Sequence, residues 1–345
     1  MSAAIKTRPG DPEADRSAVI ALLSRHVNPA YDRRRFDWVY RDNPAGLGRF
    51  WVAVDGSTGD LIGTAGALPR RMSIDGTHVT GWALTDFCIS DTYRSLGPAL
   101  HLQRTCLEEL AGDGGPLWYD FPGRGMEAVY RRLGVPPCAH VRRLARPLRT
   151  YAKLRERLGS RVLARVASLP VDLAIAWATR APRPSGSVAV APQRGPLGAE
   201  FTDLARRVTP GEGICVWRSA EYLNWRYCEN PVQPHELVAA RLEGQLVAYV
   251  ALTHDGGAAT LVDLFGETGA LRALVRGTVA QLRARGAVGV SAWMGDMHPY
   301  AALLRELGFR PRETAPVMAG AASGSPWGRA IRDANWLLTY GDRDT

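Results

Sequence analysis

Five cysteines are scattered along this 345-residue chain, and no two form a C-x-x-C pair. The odd number argues against a disulfide framework, and the spacing argues against a zinc site. A reduced, cytoplasmic setting is the expectation. Long apolar runs are lacking as well. The longest, VDLAIAWAT at 171–179, is far too short to span a bilayer, so no membrane insertion is expected. The opening MSAAIKTRPGDPEAD has no apolar core and turns acidic quickly, which does not suit a signal peptide. The seven histidines form no H-x-x-x-H or related cluster, so no metal is expected. There is no G-x-S-x-G elbow, and nothing local supports a Cys–His pair. Lysine is scarce beside arginine.

What is present suits two domains of about 150 residues each. The apolar fraction is 46% and the charged fraction 22%, ordinary for a globular chain that buries a full core in each half. The net charge is +9 and the pI about 9.6. Such an excess fits nucleic acid, an anionic membrane or an anionic small ligand. It also fits the arginine-, alanine- and glycine-rich composition of a GC-rich genome.

The motif W-x-Y-x-x-N-P occurs twice, as WVYRDNP (38–44) and WRYCENP (225–231). Further matches follow in the same order at slowly shrinking offsets. Ile62 matches Val247, Asp86 in LTDFCIS matches Asp263 in TLVDLFG, and Gly134 in VYRRLGVPP matches Gly308 in LLRELGFRP. The expectation is a doubled chain whose second copy has shorter connections.

One unit reads as a strand (4–8), a helix (12–25), a helical stretch carrying the motif, and a hairpin. A long strand (81–90), a helix (96–111) and a strand (116–122) follow. A short helix ending at Gly134 and a last strand (140–144) complete it. The fold class is therefore α+β, each domain a mostly antiparallel twisted sheet with helices on both faces. The expected divisions are 1–148, a helical connector and linker at 149–187 with its break at PRPSGS (182–187), and 188–345. A final strand is expected at 335–342.

The most informative stretch is TDFCISDTYRSLGPALHLQ (85–103), a strand, a polar turn and a helix. Gly97 lets a ligand approach the backbone, and Pro98 suits a first helical turn. Such a turn aims free N–H groups and the positive helix end at a phosphate. It also reads as a plain strand-to-helix turn with a solvated arginine.

The pattern strand, R-x-x-G-x-A, helix, strand, then a Y-x-x-L-G helix resembles the GNAT acyl-CoA N-acyltransferases. Arg94, Gly97 and Ala99 fill the positions of that family's pyrophosphate loop. The tandem arrangement looks like two-domain GNAT proteins associated with polysaccharide or secondary-metabolite biosynthesis. The resemblance implies that acetyl-CoA or another acyl-CoA lies in a cleft between splayed strands. Its pantetheine would pair with Phe87, Cys88 and Ile89, and its pyrophosphate would sit on Arg94, Ser95, Leu96, Gly97, Pro98 and Ala99. Asp86 is a candidate base for the amine, or a structural aspartate, a reading that its counterpart Asp263 supports. Tyr130 is a candidate acid for the leaving thiolate, or a packing tyrosine.

The second copy lacks the loop, and Leu304 replaces the counterpart of Tyr130, with Tyr300 one turn earlier. That copy is expected to keep the fold without the cofactor. The motif aromatics Trp38, Tyr40, Trp225 and Tyr227 read as core residues before sugar- or nucleotide-stacking ones. The leading function is transfer of an acetyl group to a small primary amine, such as an amino sugar or natural-product intermediate. A Fem-like transferase using aminoacyl-tRNA and a non-catalytic acyl-CoA-binding module are the alternatives.

Overall fold

The computed structural model describes residues 5–112, 117–178, 188–322 and 324–343. The expected linker break at 182–187 lies outside them. The first half runs β1 (Ile5–Pro9), α1 (Arg16–His26), α2 (Arg33–Tyr40), β2 (Arg49–Asp55), β3 (Leu61–Ile74), β4 (Thr77–Ile89), α3 (Leu96–Gly112), β5 (Trp118–Asp120), α4 (Arg124–Leu133) and β6 (Pro137–Pro147). Two connecting helices follow, α5 (Tyr151–Leu158) and α6 (Arg161–Ala178). The second half runs β7 (Val188–Gln193), α7 (Ala199–Val208), β8 (Ile214–Val216), α8 (Ala220–Leu223), β9 (Glu236–Leu242), β10 (Gln245–Asp255), β11 (Ala258–Gly266), α9 (Thr268–Ala284), β12 (Gly289–Gly295), α10 (Pro299–Glu306) and β13 (Arg310–Gly320). Helix α11 (Trp327–Asp333) closes the order. Apart from β8 and α11, the second half repeats the element order of the first.

Local chemistry accounts for many of the boundaries. Asp32 caps α2 by accepting from the Arg35 amide at 2.9 Å. The β3–β4 hairpin turns at Asp75–Gly76 and the β9–β10 hairpin at Glu243–Gly244, all four residues with positive φ, as two-residue hairpin turns require. In α3, Leu102, Cys106 and Leu110 recur at helical spacing and are buried against Trp51, Ile62 and Tyr130.

Among the described residues, thirteen strands form one mostly antiparallel sheet with order β1-β2-β3-β4-β5-β13-β6-β12-β11-β10-β9-β7, and β8 pairs with β3. At the centre the halves exchange strands. β13 lies against β5, with Met318 opposite Asp120, and β6 lies against β12, with Trp293 opposite Arg143. β6 and β13 pair with each other between them. The helices α3 and α4 cover one face of the first half, and α9 and α10 enclose a second core in the other half. A third cluster, from α1 and α2 through α7 and α8, runs under both halves without a break.

Trp38 and Trp225 meet in that shared cluster. Their rings stack with centroids 4.6 Å apart and planes 15° apart. Each indole N–H donates to the other residue's carbonyl, at 2.8 and 2.9 Å. The two copies of the motif therefore touch across a local two-fold. Residues 335–342 are not the strand expected. They make only single bridges, Trp336 to Ile214 and Thr339 to Met294, and end in a 3-10 turn at Tyr340–Asp342. Thr339 and Asp342 cap that turn reciprocally, which ends extended pairing. The place beside β5 belongs to β13.

Candidate active site

β4 and β5 run parallel and pair only at Trp82–Trp118 and Ala83–Tyr119. β5 then ends, and β4 continues to Ile89 with its edge open on that side. A cleft of about 440 Å³ occupies the gap. Its walls include Phe87, Cys88 and Ile89 from β4 and Arg94, Ser95, Leu96 and Ala99 from the loop and α3. Sequence reasoning missed His26 and Val27 at the end of α1 and Gly125, Met126 and Val129 of α4. No local signal marks these residues, because they reach the cleft only through tertiary packing.

A bulge shapes this edge. Thr64 faces Cys88 and Gly66 faces Thr85, so β4 carries one residue more than β3 between them. Asp86 sits in the bulge with φ +50°. Its buried carboxylate accepts from the hydroxyls of Tyr31 at 2.6 Å and Tyr40 at 3.0 Å, with Arg35 at 3.9 Å. A Cβ at Gly66 would lie 2.4 Å from the Tyr40 hydroxyl, so glycine there admits the phenol to Asp86. Burial, and then the Asp86 charge, push both phenols well above their usual range. Burial also pushes the Cys88 thiol up to about 11.

The turn after β4 is anchored from outside. The Tyr93 hydroxyl donates to Asp55 at 2.6 Å, and His26 contacts Asp91 at 3.1 Å. The Arg94 guanidinium is exposed and pairs with Asp91 at 2.6 Å. α3 begins at Leu96, so its first N–H groups have no partner within the helix. Pro98 has no N–H to lose. A Cβ on Gly97 would meet nothing within 4 Å, so the first turn faces open space. Neither Gly97 nor Pro98 is among the cleft-lining side chains.

Tyr130 lies elsewhere. It is fully buried, donates to Asp120 at 2.7 Å and accepts from Gln103 at 3.2 Å. Burial and Asp120 hold its phenol well above the usual range. The cleft is walled instead by its neighbours Met126 and Val129.

The corresponding gap of the second half is built differently. β11 pairs with β12 only as far as Leu261–Ala292 and runs on to Gly266. There the Tyr300 hydroxyl donates to the Gly266 carbonyl at 2.9 Å and accepts from its amide at 3.4 Å. A protein side chain thus bonds both backbone groups of Gly266 at the end of β11. The following turn has Glu267 ahead of α9 and no arginine. Asp263 lies beside a bulge at Val262, paired opposite Ala251 and bonded by Tyr249, Arg218 and Thr339.

Residues 12–138 match the acetyltransferase (GNAT) domain family. This part of the chain is a GNAT domain. Several solved structures align with nearly the whole chain. A probable N-acyltransferase from Enterococcus faecalis V583 has a TM-score of 0.68 at 13% identity, over 92% of this chain and 73% of its own. A GCN5-related N-acetyltransferase from Anabaena variabilis ATCC 29413 has 0.66 at 13%, over 92% and 72%. The N-myristoyltransferase of Saccharomyces cerevisiae, solved with myristoyl-CoA, has 0.58 at 14%, over 97% and 84%. At these identities the likeness is one of fold. No curated protein matches the sequence. With its GNAT domain the protein is an acyltransferase of the acyl-CoA-dependent N-acyltransferase class. Among the described residues no group of three or more metal-ligating side chains assembles, and no helix is long and apolar enough to cross a membrane.

Proposed function

We propose that this protein transfers an acetyl group from acetyl-CoA to the primary amine of a small acceptor, in the β4–β5 gap alone. The observation that carries the reading is the open edge of β4 leading into the turn at Arg94 and the first turn of α3. The apolar walls at Phe87, Ile89 and Met126 suit pantetheine and a short acyl chain. The free amides of Leu96 and Gly97 at the start of α3 suit a diphosphate. A neutral amine then attacks the thioester carbonyl, the C–S bond breaks as the C–N bond is completed, and the proton shed by the nitrogen neutralises the departing thiolate of CoA. The chain's part is to hold the carbonyl at the gap and keep water from it.

The acceptor would enter from the opposite face. The cleft residues Phe87, Ile89 and Met126 belong to the α3–α4 side, whereas Phe121, Val141, Trp293 and Tyr340 belong to the cluster shared by both halves. These four, with Arg343, line a pocket of about 110 Å³ just beyond β5. Both halves contribute to it, so the second half would serve as acceptor wall rather than as a second catalyst. In this reading the chain is a duplicated GNAT unit with the divisions 1–148, 149–187 and 188–345. Asp86 and Tyr130 then act in positioning. Asp86 clamps the α1–α2 side to the bulge, as Asp263 does in a half without the loop.

Thermal unfolding with acetyl-CoA tests the assignment, since a ligand bound only by the native state raises stability by about 2.7 kcal/mol at a hundredfold excess over Kd. A rise, together with thiol release in the presence of an amine panel, is expected. No rise with acetyl-CoA, but one with aminoacyl-tRNA, would move the protein to the Fem-like class.

A further inference from the structure

Helix α6 presents its apolar side to water. Val162, Val166, Leu169 and Leu173 recur at intervals of four, three and four residues, which aligns them on one stripe. Each is 63–72% exposed, and Leu163 beside them is 59% exposed. The opposite side carries Ala164 and Ser168, both buried. Helix α9 shows the usual arrangement, with Leu271, Leu274, Val275 and Leu282 turned into the core. An exposed row of four large aliphatic side chains marks a docking face rather than scattered surface leucines.

The charge around the stripe says what covers it. Residues 149–178 hold six cationic side chains, among them Arg155, Arg157, Arg161 and Arg165, against two acidic ones. The base of the α5–α6 pair is tied to a second basic feature. Arg283 donates to the Asp172 carbonyl of α6 at 3.1 Å, and Arg149 donates to the Arg283 carbonyl at 3.2 Å. Arg149 also lines a groove of about 220 Å³ with Arg143, Arg146 and Arg312 over small residues of β6, β11 and β12. Burial, and then the neighbouring Arg276, hold Arg146 below the usual guanidinium range. Arg143 alone of the four is ion-paired among the described residues, to Glu313.

We propose that the α5–α6 pair docks on an anionic lipid bilayer, with the stripe at the boundary of headgroups and acyl chains and the flanking arginines on lipid phosphates. An apolar face rimmed by arginine is what such interfacial helices present. A second copy fits poorly, because apposed hairpins would bring like charges together. Nucleic acid would satisfy the arginines and leave the stripe wet. The docking is peripheral and independent of the transferase reading.

Full-length protein mixed with phosphatidylcholine vesicles, with or without phosphatidylglycerol, tests this by cosedimentation. Partition into the anionic vesicles only, weakened by salt, is expected. V166D/L169D alters side chains already in water, so it should leave melting and the acetyl-CoA response unchanged while vesicle binding falls on the order of tenfold or more. R161E/R165E, which removes two cations and adds two anions, should cost about thirtyfold or more. Failure to bind either vesicle overturns the proposal, as does binding that survives V166D/L169D. A dimer in sedimentation that V166D/L169D dissociates also overturns it, assigning the face to a second copy.

Discussion

The gaps β4–β5 and β11–β12 are made by the same succession of elements, yet one is open and the other is closed by its own chain. In both, a parallel pair of strands separates, and in both an aspartate lies in or next to a bulge beside the separation. The difference lies in a few groups. The first gap has Arg94 and the turn at Gly97, where a side chain would meet nothing. The second has Glu267 at the turn and Tyr300 bonded to Gly266. Features common to the halves belong to the fold, and features that differ are where chemistry is to be sought.

The severest challenge to this comparison is Gly97→Trp. It should fold as the parent does and lose all turnover and all acetyl-CoA stabilisation. The matching Gly269→Trp, also facing open space, should change neither. Equal effects of the two, measured by melting with and without acetyl-CoA, would erase the distinction between the gaps.

Next in size are Trp38→Ala and Trp225→Ala. Each removes half of the stacked pair and one of the two reciprocal hydrogen bonds, the one its own indole donates, so each should cost about 3–5 kcal/mol in denaturant unfolding. The double variant should cost less than the sum. A large loss from one and little from the other would show that the two-fold contact is not shared.

Tyr130→Phe keeps the ring and removes one hydrogen bond to the Asp120 carboxylate, for about 1–3 kcal/mol of stability. With the phenol in a positioning role, kcat at saturating substrates and its pH profile should hold. Loss of kcat together with the basic limb of that profile would return Tyr130 to the role of acid.

Tyr300→Phe is the mildest, about 1 kcal/mol, because the Gly266 amide and carbonyl are partly buried and lose one partner. Calorimetry should still find one acetyl-CoA per chain. A second equivalent would mean that a single hydroxyl separates the halves.

The sequence was readable where the chemistry is local. The strand, turn and helix around Gly97 and Pro98 follow from residues whose backbone preferences are narrow, and α3 begins where they indicate. The left-handed Gly134, which closes a short helix, was legible for the same reason. Tyr130 was placed on its helix, but its hydroxyl partner lies on β5, and spacing alone does not say which way a half-buried phenol turns. The W-x-Y-x-x-N-P repeat pointed to the fold. That its two tryptophans would meet each other is a matter of packing between residues 187 apart. The exchange of β6 and β13 was out of reach, because an apolar alternation fixes which face of a strand is buried and not which strand lies beside it.

That exchange has a consequence for synthesis. The open side of β5 finds its permanent neighbour only when residues 310–320 have been made, and at ordinary translation speeds this comes about 10–40 s later. Until then the N-terminal half carries an unpaired strand edge, a template for wrong partners. Once woven, the two halves should stay associated even if the chain is cut between α6 and β7, as two fragments that neither separate nor refold alone.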